Sequence, residues 1–448
     1  LPISRELFST LEHRMTPRTR TKAWLLCASL VAVAALCGTA VHAQTTTAMD
    51  TSPVAGSAAA TAGTLNLRQA FEAAWARQPE ALALQARRDA ARAQQSAAKA
   101  WTPEPAALEL SNRTDRLGNN QGAREMEVGI TVPLWLPGER DRSAALAEAE
   151  GAAIESRATA AQLRVAATVR DAWWQWQRAR IEVGTARDQL ENTRRIAADV
   201  ARRAKAGDLA RSDQHQADGA VASAEATVAQ AEAGLAAAQQ HLRALAGAAP
   251  ASSGAGDTLA EPDPGAAATE LEAHAALLEL KDRATVAERT VALTAAQSRA
   301  NPELMLATTR DRGARGEGSQ QTITLAIRIP FGAGPRLDAR RANARADATE
   351  VQAQLALERE RLTAEREAAR VRVDASRTQL AAAERRAQLA RESRAFFDKS
   401  FQLGETDLPT RLRIEAEAAE ADRQAARTRI ELSAAISAWR QALGLLPQ

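Results

Sequence analysis

Val128-Gly129-Ile130-Thr131-Val132-Pro133 is answered late in the chain by Leu325-Ala326-Ile327-Arg328-Ile329-Pro330. In both stretches apolar residues hold every second position, small or polar ones stand between, and a proline ends the run. A period of two is the pattern of a strand with one apolar face. The offset from Pro133 to Pro330 recurs from Gly207 to Gly404, inside Ala206-Gly207-Asp208 and Leu403-Gly404-Glu405. It recurs again from Gly247 to Gly444. Three landmarks at one offset mark a tandem duplication.

Each half therefore reads as helix, two strands, very long helix, turn, helix. Leu108 and Leu110 alternate with Glu109 and Ser111, and Ile323, Leu325, Ile327 and Ile329 alternate with Thr324, Ala326 and Arg328. Gly/Asn-rich turns at 117–122 and 313–318 join each pair into a hairpin. No proline occurs between Pro137 and Pro250 or between Pro335 and Pro409. As one helix, Arg140–Ala206 spans roughly 100 Å at about 1.5 Å per residue, too long for a globular domain. Helices over Leu65–Ala100 and Asp208–Ala246, stacked end to end, match that length. Aromatic residues make up only 3% of the chain and Tyr is absent, which suits closely packed helices better than a bulky core.

Met15-Thr-Pro-Arg-Thr-Arg-Thr-Lys22, the apolar run Ala23–Val41 and the small-residue step before Gln44 have the layout of a secretory signal cut after Ala43. The basic region starts at Met15, which favours that residue as the true start. An uncleaved anchor is the alternative. Residues 1–43 carry Arg5, Arg14, Arg18, Arg20 and Lys22 against Glu6 and Glu12, the whole of the chain's formal +3. The remainder is formally neutral, so charge gives no support to a nucleic-acid partner. The expected divisions are 1–43 signal and upstream sequence, 44–63 disordered tail, 64–247 first repeat, 248–269 linker, and 270–448 second repeat.

Both cysteines, Cys27 and Cys37, lie in the leader, and His215, His241 and His274 are not spaced to share a helical face. Nothing there makes a metal site, and no phosphate loop or nucleophile motif is present. The expectation is no cofactor and no enzyme. Trp173, Trp174 and Trp176 read as packing between helices, and Trp135 as a residue of an interfacial girdle.

Four strands cannot close a barrel, and open edges are costly in lipid. Three copies supply twelve strands, enough to close around a lumen. The expected fold is mainly α with a small β part: a duplicated long-helix coiled-coil barrel, plus four strands per chain closing as a 12-stranded trimeric outer-membrane barrel. Apolar positions then face lipid, and Glu127, Thr131, Thr324 and Arg328 face water. The competing reading is a small periplasmic hairpin packed on its own helices.

The duplicated plan, the step Pro133-Leu-Trp-Leu-Pro-Gly138-Glu-Arg140 and the paired turns Ala206–Leu209 and Leu403–Thr406 resemble the TolC-type outer-membrane efflux family, from about Leu65 onward. The Pro-x-x-x-x-Gly-Glu-Arg step and Phe401-Gln-Leu-Gly404-Glu-Thr-Asp-Leu408 look most like its CzcC branch, which serves heavy-metal efflux. The resemblance implies a passive, homotrimeric exit duct. It sits in outer-membrane lipid with its helices in the periplasm, and works with a periplasmic adaptor (membrane fusion) protein and an inner-membrane RND pump. It also implies docking tips at Gly207, Asp208, Leu209, Gly404, Glu405 and Thr406. Family members can close the tunnel with acidic rings; here the matching positions are Thr410 and Arg413, so that gate is not carried over. Asp213 does match an acidic family position, and Arg411 with Arg413 is either a basic constriction or ordinary helix-face charge. The alternative function is a periplasmic adaptor or coiled-coil structural protein of an export system. Such an adaptor is expected to have one helical hairpin and many more strands.

Overall fold

The computed structural model describes residues 66–118, 120–247, 260–264, 270–332 and 334–448. The expected leader and tail, and most of the expected linker, lie outside the described residues. The first half runs α1 (Leu67–Ala76), α2 (Pro79–Ala98), β1 (Ala107–Thr114), β2 (Arg124–Pro133), α3 (Glu139–Ala206) and α4 (Arg211–Ala246). The second runs α5 (Ala275–Ala296), β3 (Glu303–Arg312), β4 (Gln320–Arg328), α6 (Gly334–Gln402) and α7 (Leu408–Ala442).

One expectation needs correcting. Among the described residues, the helix expected over Leu65–Ala100 is two helices rather than one. Asn66 caps α1, accepting from the Gln69 amide at 2.7 Å while the Gln69 side chain accepts from the Asn66 amide at 3.0 Å. Pro79 then ends the run: it lacks an N–H and pushes Gln78 into extended backbone, observed at φ −72°, ψ 139°. The proline suits the first turn of α2, where no amide partner is needed.

α3 is 68 residues and α6 is 69. Both end on a glycine in the left-handed region, Gly207 at φ +91° and Gly404 at φ +79°. At each end the next two amides turn back into the last helical turn, Gly207 to Ala204 and Asp208 to Arg203, then Gly404 to Phe401 and Glu405 to Ser400. Only glycine enters that conformation without strain, so it closes the helix and reverses the chain.

The sheet order is β1-β2-β3-β4, all antiparallel. On the strand side α2 packs on α3, α3 on α5, and α5 on α6; on the turn side α4 packs on α3, α3 on α7, and α7 on α6. Every layer of the chain is thus an open row of four elements. The buried surface is dominated by alanine, which lets helix axes approach closely, with larger side chains concentrated where α1, α3, α4 and α7 meet: Leu67, Phe71, Trp173, Trp174, Trp176, Leu242 and Ile430.

The duplication is written into the ion pairs as well. Arg187 meets Glu232 at 2.5 Å across α3 and α4, and Glu384 meets Arg429 at 2.5 Å at the matching positions of α6 and α7, with the charges exchanged. Arg194–Glu225 and Arg391–Asp422 also stand at matching positions, with the charges kept. Exposed pairs of this kind stabilise by about 1 kcal/mol or less. Their value lies in register.

Candidate functional site

The sheet separates two chemistries. Its register lines up Leu108, Ile130, Leu306 and Leu325 across all four strands. These side chains, with Leu110, Leu304, Ile323 and Ile327 on the same face, stand exposed. Glu127, Thr131, Thr324 and Arg328 fall on the opposite face, together with Glu109 and Glu303. Thr131 donates to Glu109 at 3.2 Å, and Arg328 pairs with Glu303 at 3.4 Å. A continuous exposed apolar row on a sheet needs a nonaqueous cover. Both outer strands are exposed at every residue, so their outward backbone groups have no strand beside them. Among the described residues no helix is long and apolar enough to cross a membrane.

At the far end, α3–α4 and α6–α7 turn side by side. Leu209 joins Ile196, Val200, Ala217, Phe401 and Leu408 in an apolar cluster, while Gly207, Asp208, Gly404 and Glu405 are exposed and Thr406 is half-buried. The Thr406 hydroxyl hydrogen-bonds to that of Ser400 at 2.6 Å. Two guanidinium groups lie against the Phe401 ring, Arg203 at 5.0 Å and Arg411 at 4.5 Å from the ring centre. Arg203 also donates to the Phe401 carbonyl at 3.2 Å. Asp199 balances both arginines, at 3.5 Å from Arg203 and 3.6 Å from Arg411, and Asp398 pairs with Arg411.

The three residues considered for a tunnel constriction each have partners within the chain. Arg411 is only 13% exposed and held by that intrachain clamp. Arg413 is exposed and pairs along its own helix with Glu417 at 2.5 Å. Asp213 accepts from the Ala210 amide at 3.1 Å, closing the first turn of α4. Thr410 donates its amide to Asp407 at 3.1 Å, which caps α7.

Sequence reasoning missed a third cluster, where Glu261 of the expected linker enters the protein. Arg170 donates to both Glu261 oxygens, at 2.9 and 2.7 Å, and the pair is 3% and 1% exposed. Arg440 lies 3.3 Å from the same carboxylate and Ser437 donates to it. Arg170 further donates to Gln441 at 2.6 Å and to the Leu445 carbonyl at 3.0 Å. Glu139, inside the quoted Gly-Glu-Arg step, is also buried. It accepts from the Leu136 amide at 3.0 Å, Gln297 at 2.8 Å and Asn301 at 2.9 Å, tying the two halves beneath the sheet. His274 is the buried cap of α5, its Nδ1 accepting from the Ala276 amide at 3.3 Å. Burial first, then the Arg366 charge, lowers its pKa.

The family model described as outer membrane efflux protein matches residues 70–248. No curated protein matches the chain. Among solved structures, one described for CusC and its transmembrane channel formation has a TM-score of 0.71 at 16% identity, covering 85% of this chain and 92% of that one. VceC, an outer membrane protein of Vibrio cholerae, has 0.65 at 19%, covering 84% and 96%. The open state of the Neisseria gonorrhoeae MtrE outer membrane channel has 0.69 at 16%, covering 85% and 89%. At these identities the likeness is one of fold. It does not single out the CzcC branch.

Proposed function

We propose that the chain is a TolC-type outer-membrane efflux protein, a reading supported by the match over residues 70–248 and by the likeness in fold, and that it is the passive exit duct of a tripartite, RND-type pump. Three copies close the sheet into a barrel in the outer membrane, and the long helices carry the duct into the periplasm. The carrying observation is the exposed apolar face of the sheet, backed by a polar face that includes Glu127, Thr131, Thr324 and Arg328. A hydrocarbon core of roughly 30 Å is crossed by tilted strands of about 9–11 residues, and these strands have 8 to 10.

The exposed turns around Gly207, Asp208, Gly404 and Glu405, with Leu209 and Thr406 behind them, are the docking tips for a periplasmic adaptor. Heavy-metal cations are the cargo, a choice resting on the Pro133–Arg140 step and the Phe401–Leu408 turn. Separation of inner and outer membranes on a density gradient tests the core of this reading. Recovery as an integral outer-membrane protein supports it; recovery in the inner membrane or soluble periplasm overturns it in favour of an adaptor. For the cargo, loss of the gene should sensitise cells to divalent metal salts more than to organic toxicants.

A further inference from the structure

We propose that the turn end of the sheet's apolar face is a docking surface for phosphate-bearing lipid headgroups, held by Arg124 and Arg310 with Arg312 beside them. The proposal rests on the outer-membrane reading above and adds to it the class of lipid that the far end of the sheet selects.

The register sorts the charges of the strands by face. Beyond the apolar row, the face of Leu108, Ile130 and Leu306 carries Asn112 and Thr114 on β1 and Met126 and Arg124 on β2. It continues with Arg310 and Arg312 on β3 and Gln321 on β4. Met126 pairs with Arg310 and Arg124 with Arg312, so the three arginines occupy two adjacent strands within two rows. Arg124 and Arg310 are diagonal neighbours, roughly 7–8 Å apart at that spacing, which two long side chains can span to reach one phosphate. No acid of the strands shares this face: Glu109, Glu125, Glu127, Glu303 and Asp311 all fall on the other.

Arg124 and Arg310 are exposed, and among the described residues neither side chain has an ion pair or a hydrogen bond. Arg312 is half-buried and donates to the Gly122 carbonyl at 3.3 and 3.2 Å. Arg113, at the same height on the other face, does have an acid, Glu125 at 3.6 Å. The turns keep the bias. Arg116 and Arg315 are exposed, while Asp115 accepts from the Gly122 amide at 2.8 Å and Glu317 from the Ala314 amide at 3.1 Å. An outward arginine is costly in hydrocarbon and nearly free at the membrane interface, so the hydrocarbon ends at Arg310. Guanidinium groups match phosphate oxygens by bidentate hydrogen bonding. Two unpaired ones on neighbouring strands suit a phosphomonoester better than a zwitterionic headgroup. At the helix end the exposed large side chains flanking β1 and β4 are aromatic, Trp101 and Phe331, so the two ends of the apolar band call for different surroundings.

The test is lipid enrichment. The full chain is reconstituted into vesicles of phosphatidylcholine with a minor share of phosphatidic acid and re-extracted in nonionic detergent, and both co-purifying lipids are quantified by mass spectrometry. Phosphatidic acid should be enriched roughly fivefold over its share of the vesicles, the scale of one arginine at an anionic lipid surface. Arg124→Gln with Arg310→Gln should abolish the enrichment, and Arg113→Gln should leave it. Enrichment that survives in the double variant, or falls equally in Arg113→Gln, overturns the proposal. Enrichment removed by an equal concentration of inorganic phosphate assigns the arginines to a free anion and overturns the lipid docking surface. A parent chain that inserts yet enriches nothing also overturns it and leaves the barrel standing. A chain that fails to insert even in pure phosphatidylcholine brings down the membrane reading, and the proposal with it.

Discussion

Two clusters fasten α3 to the second half of the chain, and both use arginine, yet they are built differently. At the Glu261 cluster the carboxylate is shared by Arg170 and Arg440, and the three side chains are at most 4% exposed. At the tip, Arg203 and Arg411 both lie against Phe401 while Asp199 and Asp398 remain within reach of water, 26% and 43% exposed. Buried charge tolerates no missing partner, because desolvation is recovered only when every group is paired. Partly solvated charge can let go and be rehydrated. The first cluster is therefore a fixed joint, and the second a fastening that can open while the joint holds.

The largest effect should come from Glu261→Ala, which strands two buried guanidinium groups. The expected loss is about 3–5 kcal/mol of stability, read by thermal or denaturant unfolding of the solubilised protein. Replacing all three charged groups together by Met should cost less than removing the carboxylate alone. A triple variant weaker than Glu261→Ala would break the comparison, since the charges would then be stabilising in their own right.

That joint was the least legible part of the chain. Glu261 stands in a stretch with Pro250, Pro262 and Pro264, a composition that reads as solvated linker. Arg170 shares its helical spacing with many exposed arginines. Nothing local distinguishes a buried charge from a surface one when its partner comes from a remote part of the chain. The repeat, the hairpins and the two long helices were legible because each is a local or periodic signal: alternation in β2 and β4, absence of proline, and a glycine at each reversal. The break at Gln78–Pro79 was locally written too, but an alanine-rich pattern on both sides masked it. At the tip, the glycines were readable from sequence. The Arg203, Phe401 and Arg411 cluster was not, since it joins two hairpins that meet only in the folded chain.

An intermediate effect is expected from Phe401→Ala. The ring is 2% exposed, and its loss opens a cavity and removes the ring that Arg203 and Arg411 both contact, a cost of about 3 kcal/mol. Because the tip is a separate fastening, the loss should appear in hydrogen exchange of the amides from 196 to 203 and 398 to 411. Protection around Trp173–Gln177 should not change. Equal loss in both regions would show that the two fastenings act as one unit.

The smallest effect concerns acid. Asp407 accepts from the Thr410 amide as the cap of α7, and hydrogen bonding to Thr410, side chain first and then backbone, holds its carboxyl pKa below the ordinary carboxylate value. A carboxylate whose pKa is lower when folded contributes stability that is full above its unfolded pKa. That contribution is lost as pH falls through the folded one. The cap should therefore weaken only below about pH 4, where unperturbed Asp begins to protonate. Asp407→Asn keeps an acceptor for the amide and removes the titration. The expected result is a falling protection factor at Thr410 and Arg411 in acid for the parent chain, and a flat one for the variant. A decline of equal size in both would show that the acid sensitivity does not come from Asp407.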